Sequence, residues 1–252
     1  MAVCHPPKGC HVTGRIIAIE GGDGAGKRTI AEALRDRLVA DGLRARVISF
    51  PRYQDTLGGR AIGEFLAHRV PAPADPRAVA IFYAADRFES KAFIEELLKE
   101  NDFLIVDRYV ASNVAYQAAK VSPEERQAIV DWILDLEFGC FGLPRPVISV
   151  FLNMPVEVAR GLVGKKDARS YTDRVLDRHE EDLGLQRRVV ETYARLAADE
   201  IVSPWLVVSP LRKGALRLPR DLADEIFSRL RTACEAQPGP IQGRADGLGN
   251  LA

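Results

Sequence analysis

The stretch Arg15-Ile16-Ile17-Ala18-Ile19-Glu20-Gly21-Gly22-Asp23-Gly24-Ala25-Gly26-Lys27-Arg28-Thr29 decides the fold of this 252-residue chain. Its first six residues are an apolar, isoleucine-rich run of strand length, Arg15 to Glu20. Gly21 to Lys27 then spell G-x-x-x-x-G-K, and Ile30, Leu34 and Leu38 recur at four-residue spacing to mark a helix over about 28–41, ended by Gly42. A strand, a glycine-rich turn and a helix in that order form a phosphate-binding loop (P-loop): the glycines let the backbone curl so that successive N–H groups and the helix N-terminus face a polyphosphate. Lys27 adds a point charge toward the β- and γ-phosphates, so residues 21–29 are expected to bind the phosphates of a nucleotide.

Outward from this unit the chain alternates β-rich runs with amphipathic helices, the pattern of a parallel sheet covered on both faces. Further strands are expected at Arg46–Phe50, Phe103–Val106, Val147–Leu152 and Trp205–Val208, giving a five-stranded sheet. Helices are expected at 59–67, 76–99, 112–119, after Ser122-Pro123-Glu124-Glu125 with Ile129, Ile133 and Leu136 on one face, at 155–163, around Leu185 to Leu196, and around Leu222 to Leu230. One α/β domain is thus expected over 14–235, between an N-terminal extension (1–13) and a Gly- and Pro-rich tail (236–252) read as disordered. Thirty-five basic residues balance thirty-five acidic ones, which argues against a nucleic-acid or membrane-surface protein. No apolar run is long enough to span a bilayer, and residues 1–14 lack the core of a secretory signal, so a cytoplasmic location is expected. Four scattered cysteines make no disulfide framework, and Cys4-His5 with Cys10-His11 matches no standard zinc spacing.

Two details bear on the metal. Arg28 stands where a P-loop usually has Ser or Thr to help hold Mg²⁺, and Thr29 comes one residue later. The third strand runs into Asp107, an acid at the C-terminal end of a buried strand, which is where a Mg²⁺-binding carboxylate would sit.

The pieces Glu20-Gly21-Gly22-Asp23-Gly24-Ala25-Gly26-Lys27, Phe50-Pro51-Arg52-Tyr53, Asp86-Arg87, Asp107-Arg108-Tyr109, Ser112 and Ala115-Tyr116-Gln117 occur in an order that resembles the thymidylate kinase family, from Arg15 to about Phe227. The resemblance implies the nucleoside monophosphate kinase form of the P-loop NTPase fold, with a basic lid, and transfer of a phosphoryl group from ATP to dTMP with Mg²⁺. It implies that Phe50, Arg52 and Tyr53 bind the acceptor, with Arg52 on its phosphate, where a guanidinium fork matches phosphate oxygens. Tyr83 would stack on thymine, Arg87 would donate to a thymine carbonyl, and Asn113 would partner the ring amide. Tyr116 would lie against the deoxyribose, with Ser112 and Gln117 in the same substrate set. Arg108 would reach the phosphates where both nucleotides meet, and Asp23 joins the catalytic and metal-binding set.

The loop lacks the arginine that one kind of thymidylate kinase carries there, so the positive charge is expected from a lid over 164–174, which holds Lys165, Lys166, Arg169 and Arg174. Arg169 and Arg174 are the catalytic candidates, and Glu180 is a candidate for the sugar or the metal. Homodimers are usual in the family. The remaining alternatives are another nucleoside monophosphate or deoxynucleoside kinase, or a nucleotide-binding regulator without transfer activity.

Overall fold

The computed structural model describes residues 14–71, 73, 75–163 and 182–235. Five parallel strands form the central sheet: β1 (Arg15–Glu20), β2 (Ala45–Ser49), β3 (Phe103–Asp107), β4 (Ile148–Leu152) and β5 (Trp205–Val208), in the order β2-β3-β1-β4-β5. The strand that leads into the glycine-rich loop is therefore central, and side chains of β1 alternate between two cores because successive residues point to opposite faces. Ile16 and Ala18 enter one core, Ile17 and Ile19 the other.

Nine α-helices are described: α1 (Lys27–Ala40), α2 (Leu57–Leu66), α3 (Pro76–Glu89), α4 (Lys91–Glu100), α5 (Val110–Ala118), α6 (Arg126–Leu134), α7 (Val156–Val163), α8 (Leu183–Ala198) and α9 (Pro219–Glu235). Ile30, Leu34 and Leu38 of α1 meet Leu222, Ile226 and Leu230 of α9 in one core. The opposite core collects apolar residues of α4, α5, α6 and α8, including Ile94, Val114, Ile133 and Val189. A small third core, Ile62, Phe65, Leu66 and Val79, joins α2 to α3. Among the described residues no helix is long and apolar enough to cross a membrane.

Three local features depart from the sequence reading. The single helix expected over 76–99 is broken at Ser90, whose Oγ donates to the Asp86 carbonyl at 2.8 Å, a back-bond that bends helices. Asp135–Cys140 continue α6 as a π-helical segment. A hairpin of β6 (Leu211–Arg212) and β7 (Ala215–Leu216) turns on Lys213 and Gly214, both at positive φ, as its two-residue turn requires; strands this short leave no periodic signal. The expected N-terminal extension, lid and tail lie outside the described residues.

Candidate active site

Glu20 ends β1, and the chain leaves the sheet through Gly21 at φ 147°, where a Cβ would sit 2.9 Å from the Leu152 carbonyl of the neighbouring strand. Only glycine lets the loop pass β4 this closely. Gly26 precedes α1 in the left-handed conformation and no side chain caps it, which leaves the first N–H groups of the helix turned toward the loop mouth. The buried Lys27 folds back so that Nζ donates to the carbonyls of Gly21 (3.0 Å) and Gly22 (2.6 Å). Arg28 lies on the outer face of the helix, 77% exposed and paired with Glu32 one turn on, and Thr29 is exposed as well.

Across the mouth stands the turn from β3 into α5. Arg108 takes φ 66° there, its N–H donates to the Ile19 carbonyl at 3.1 Å, and its guanidinium is hydrogen-bonded to Asp23 of the loop. A non-glycine residue in that region of φ persists only when its surroundings enforce it. Glu20 does so from below: it accepts from the Tyr109 N–H at 2.9 Å, the Ser112 hydroxyl at 2.6 Å and the Tyr193 hydroxyl at 3.0 Å. Burial pushes the Glu20 carboxyl above the ordinary carboxylate range, against the pull of these hydrogen bonds and of Arg108. Asp23 also accepts from the Tyr116 hydroxyl (2.6 Å) and from Gln186 of α8 (2.8 Å), so the loop is tied to α5 and α8. Burial and the adjacent Asp23 push the Tyr116 hydroxyl well up, which keeps it a proton donor. The Arg108 guanidinium lies 5.6 Å from the centroid of the Tyr116 ring.

Arg52 follows the end of β2. Its guanidinium lies 4.5 Å from the ring centroid of Phe93, contacts Asp55 at 3.1 Å and donates to the Ser90 hydroxyl at 3.1 Å. The backbone before α2 is fixed by the buried Asp86, which accepts from the Arg52 N–H (3.0 Å) and the Thr56 hydroxyl (2.6 Å). Burial raises the Asp86 carboxyl, and those two bonds only partly lower it. Phe50 is in the core beside Tyr109, whereas Tyr53, Phe82 and Tyr83 are half-buried against the α2–α3 core.

Arg87 and Asn113 are interior residues, on α3 and α5, and both bond to Glu137 of the π-helical segment. Gln117 donates to Asn113 Oδ1 at 3.3 Å, and Ser112 bonds to Glu20. Asp107 ends β3 level with Ile19 and Ser49, next to Arg108. On the other flank of the loop an open cleft lies between α7 and α8, lined by Gly22, Asp23, Met154, Arg160 and Leu183. Glu180 and the lid candidates Lys165, Lys166, Arg169 and Arg174 lie outside the described residues.

The structure adds Glu137, Gln186, Tyr193 and the supporting roles of Glu20 and Asp86. Glu137 had a readable signal: it stands four residues after Ile133 and eight after Ile129, a carboxylate on the apolar face of a helix. Gln186 had none, because a single Gln on a helix is ordinarily solvated.

A family model described as thymidylate kinase matches residues 19–205. The thymidylate kinase of Mycobacterium tuberculosis is 36% identical over 212 residues, covering 82% of this chain and 99% of that protein. The human thymidylate kinase is 28% identical over 230 residues, covering 90% of this chain and 97% of that one. Among solved structures, the thymidylate kinase of Candida albicans superposes with a TM-score of 0.63 at 24% identity, over 89% of this chain and 92% of that one.

Proposed function

The chain belongs to the thymidylate kinase family, and from that premise we propose how its residues carry out the ATP-dependent phosphorylation of dTMP to dTDP. The observation that carries the assignment of roles is the placement of Lys27, Arg108 and Arg52. They stand just beyond the C-terminal ends of β1, β3 and β2, three strands adjacent in the sheet. Ligands of open α/β sheets bind at that edge.

Transfer is in line from the γ-phosphorus of ATP to an oxygen of the dTMP phosphate, which is already an anionic nucleophile and needs no general base of the histidine type. Loop N–H groups and the N-terminus of α1 bind the donor phosphates, and Lys27 exchanges its two loop carbonyls for phosphate oxygens. Arg52 holds the acceptor phosphate, and Arg108 stabilises charge between donor and acceptor. Asp23 orients Arg108 and Tyr116, and the Tyr116 ring covers the deoxyribose. Tyr83 stacks on the base. The basic segment 164–174, with Arg169 and Arg174, supplies the remaining positive charge, and Glu180, beyond it in sequence, is the candidate for the sugar or the metal.

Carboxylate oxygens are hard donors that suit Mg²⁺, and this ion fills most of its octahedron with waters and phosphate oxygens. Asp107, at the strand end beside Arg108, fits such a site, and Asp23 is the second candidate. Bound there, Mg²⁺ neutralises charge on the donor phosphates. Arg28, turned to solvent on α1, has no part in holding it.

We place the enzyme in the cytoplasm, as a homodimer. In support of the dimer, Ile81 and Phe88, 47% and 49% exposed, stand seven residues apart on one face of α3.

The test is consumption of ATP with dTMP and Mg²⁺, set beside a panel of other nucleoside and nucleoside monophosphate acceptors. Turnover that prefers dTMP supports the reading, and Mg²⁺-dependent turnover of another acceptor alone overturns it. Arg52→Ala is expected to lower kcat/KM for dTMP by about ten- to a hundredfold and to leave the KM for ATP unchanged, the size expected from losing charge-assisted hydrogen bonds.

A further inference from the structure

Glu137 is fully buried, and its partners use both carboxylate oxygens: Oε2 accepts from Arg87 Nε at 2.5 Å, while Oε1 accepts from Arg87 Nη2 at 2.6 Å and from Asn113 Nδ2 at 2.8 Å. The second Asn113 Nδ2 hydrogen goes to the Ala80 carbonyl at 3.0 Å. Burial by itself disfavours the Arg87 charge, but Glu137 bonded to it and Asp86 nearby outweigh that, so Arg87 stays cationic. With N–H donors on both of its oxygens, the Glu137 carboxyl serves its neighbours only as an acceptor. It therefore dictates which way each partner faces: two of the guanidinium's N–H donors and one end of the asparagine amide must turn toward it. The groups left for another ligand are the remaining Arg87 donors and, on Asn113, the acceptor Oδ1, which already takes one bond from Gln117.

We propose that Glu137 is a specificity-determining positioning residue, which fixes Arg87 as a donor and Asn113 Oδ1 as an acceptor toward the acceptor nucleotide's base. That pattern complements a pyrimidine with a carbonyl at C4 and a hydrogen on N3. A 4-aminopyrimidine presents the reverse, a donor at C4 and an acceptor at N3, and leaves buried groups facing like against like. The proposal rests on the reading that Arg87 and Asn113 face the base. Glu137 touches no substrate and acts through them. Its place on a π-helical segment is consistent with this, since such segments recur at functional sites.

The test compares kcat/KM for dTMP and dCMP in the parent, in Glu137→Gln and in Arg87→Lys, with melting temperature and the KM for ATP recorded for each. In Glu137→Gln a neutral amide with a single acceptor oxygen replaces the carboxylate, so Arg87 loses its counter-charge and its two-oxygen clamp, and Asn113 keeps only the Ala80 carbonyl and Gln117 to orient it. The dTMP:dCMP ratio is expected to fall about tenfold or more, through a raised KM for dTMP, while the KM for ATP stays within about twofold. If Arg87→Lys lowers the ratio but a folded Glu137→Gln does not, Glu137 is a structural ion pair only and the proposal is wrong. If neither variant moves the ratio, Arg87 does not read the base, and the placement of the base fails together with the proposal.

The parent protein supplies a measurement independent of whether Glu137→Gln folds. In ¹⁵N-labelled enzyme the Arg87 Nε–H and Asn113 Nδ2–H₂ signals are expected to be protected from exchange without nucleotide and to stay so with dTMP bound. Loss of that protection on dTMP binding would mean that both partners leave Glu137 to meet the base, and would overturn the proposal.

Discussion

Glu20 shows at the scale of one residue how the site is held. Its carboxylate lies beneath the loop and ties the Arg108–Tyr109 turn to the end of β1. Burial raises its pKa above the ordinary value of 4.5, so the folded protein holds that proton more tightly than the unfolded chain does. The contribution of Glu20 to stability is then full below that value and is lost as pH rises through the raised folded pKa. Glu20→Gln, which mimics the protonated form, should gain in melting temperature relative to the parent as pH is raised from about 4.5 to 8. A difference that stays constant with pH would show that Glu20 does not titrate in the fold. At Lys27 the expected loss is catalytic: Lys27→Ala should keep its circular dichroism spectrum and nearly abolish transfer. Two lost hydrogen bonds at about 0.5–1.5 kcal/mol each lower its melting point only modestly. Near-parental kcat in the folded variant would remove Lys27 from the mechanism. Arg28→Ser should stay active, since that side chain faces solvent and pairs with Glu32.

Among the elements, the junction of α2 with α3 positions Arg52, the residue proposed to hold the acceptor phosphate. Gly58, in the first turn of α2, passes so close to α3 that a Cβ would lie 2.4 Å from the Asp86 backbone nitrogen, and the N–H groups of Leu57 and Gly58 are capped by Glu89. Asp86 on α3 and Ser90 at its C-terminal cap fix the backbone and guanidinium of Arg52. Gly58→Ala should therefore push the two helices apart and cost about 1–3 kcal/mol, the usual range for overpacking. Because the shift passes through Asp86 to Arg52, the KM for dTMP should rise more than the KM for ATP. Equal changes in both would mean that the helix pair is not coupled to the acceptor side. The break at Ser90 belongs to the same device: it ends α3 where its last turn meets the loop that carries Arg52.

Across the described molecule helices cover both faces of the sheet, the proposed chemistry lies at the C-terminal ends of its strands, and an apolar stripe on α3 faces outward. If that stripe is the dimer face, the 27.8-kDa chain should elute at twice its mass, and Phe88→Glu should yield a folded monomer. A parent that runs as a monomer at micromolar concentration would remove the homodimer. Much of this architecture was legible in the chain itself. Five strands and the loop from Gly21 to Lys27 announce themselves locally, because hydrophobic period, glycine position and strand–loop–helix order are properties of neighbours in sequence. Arg52, Arg87 and Arg108 were likewise marked by the motifs that contain them. What those residues touch was not legible. Glu137 lies 50 residues from Arg87, Gln186 lies 163 from Asp23, and Tyr193 lies 173 from Glu20. A buried carboxylate or amide takes its partner from whatever the packed helices bring beside it, and no local pattern records that. The sequence by itself determined the fold and the phosphate-binding chemistry; only tertiary packing decided which buried acid orients each arginine.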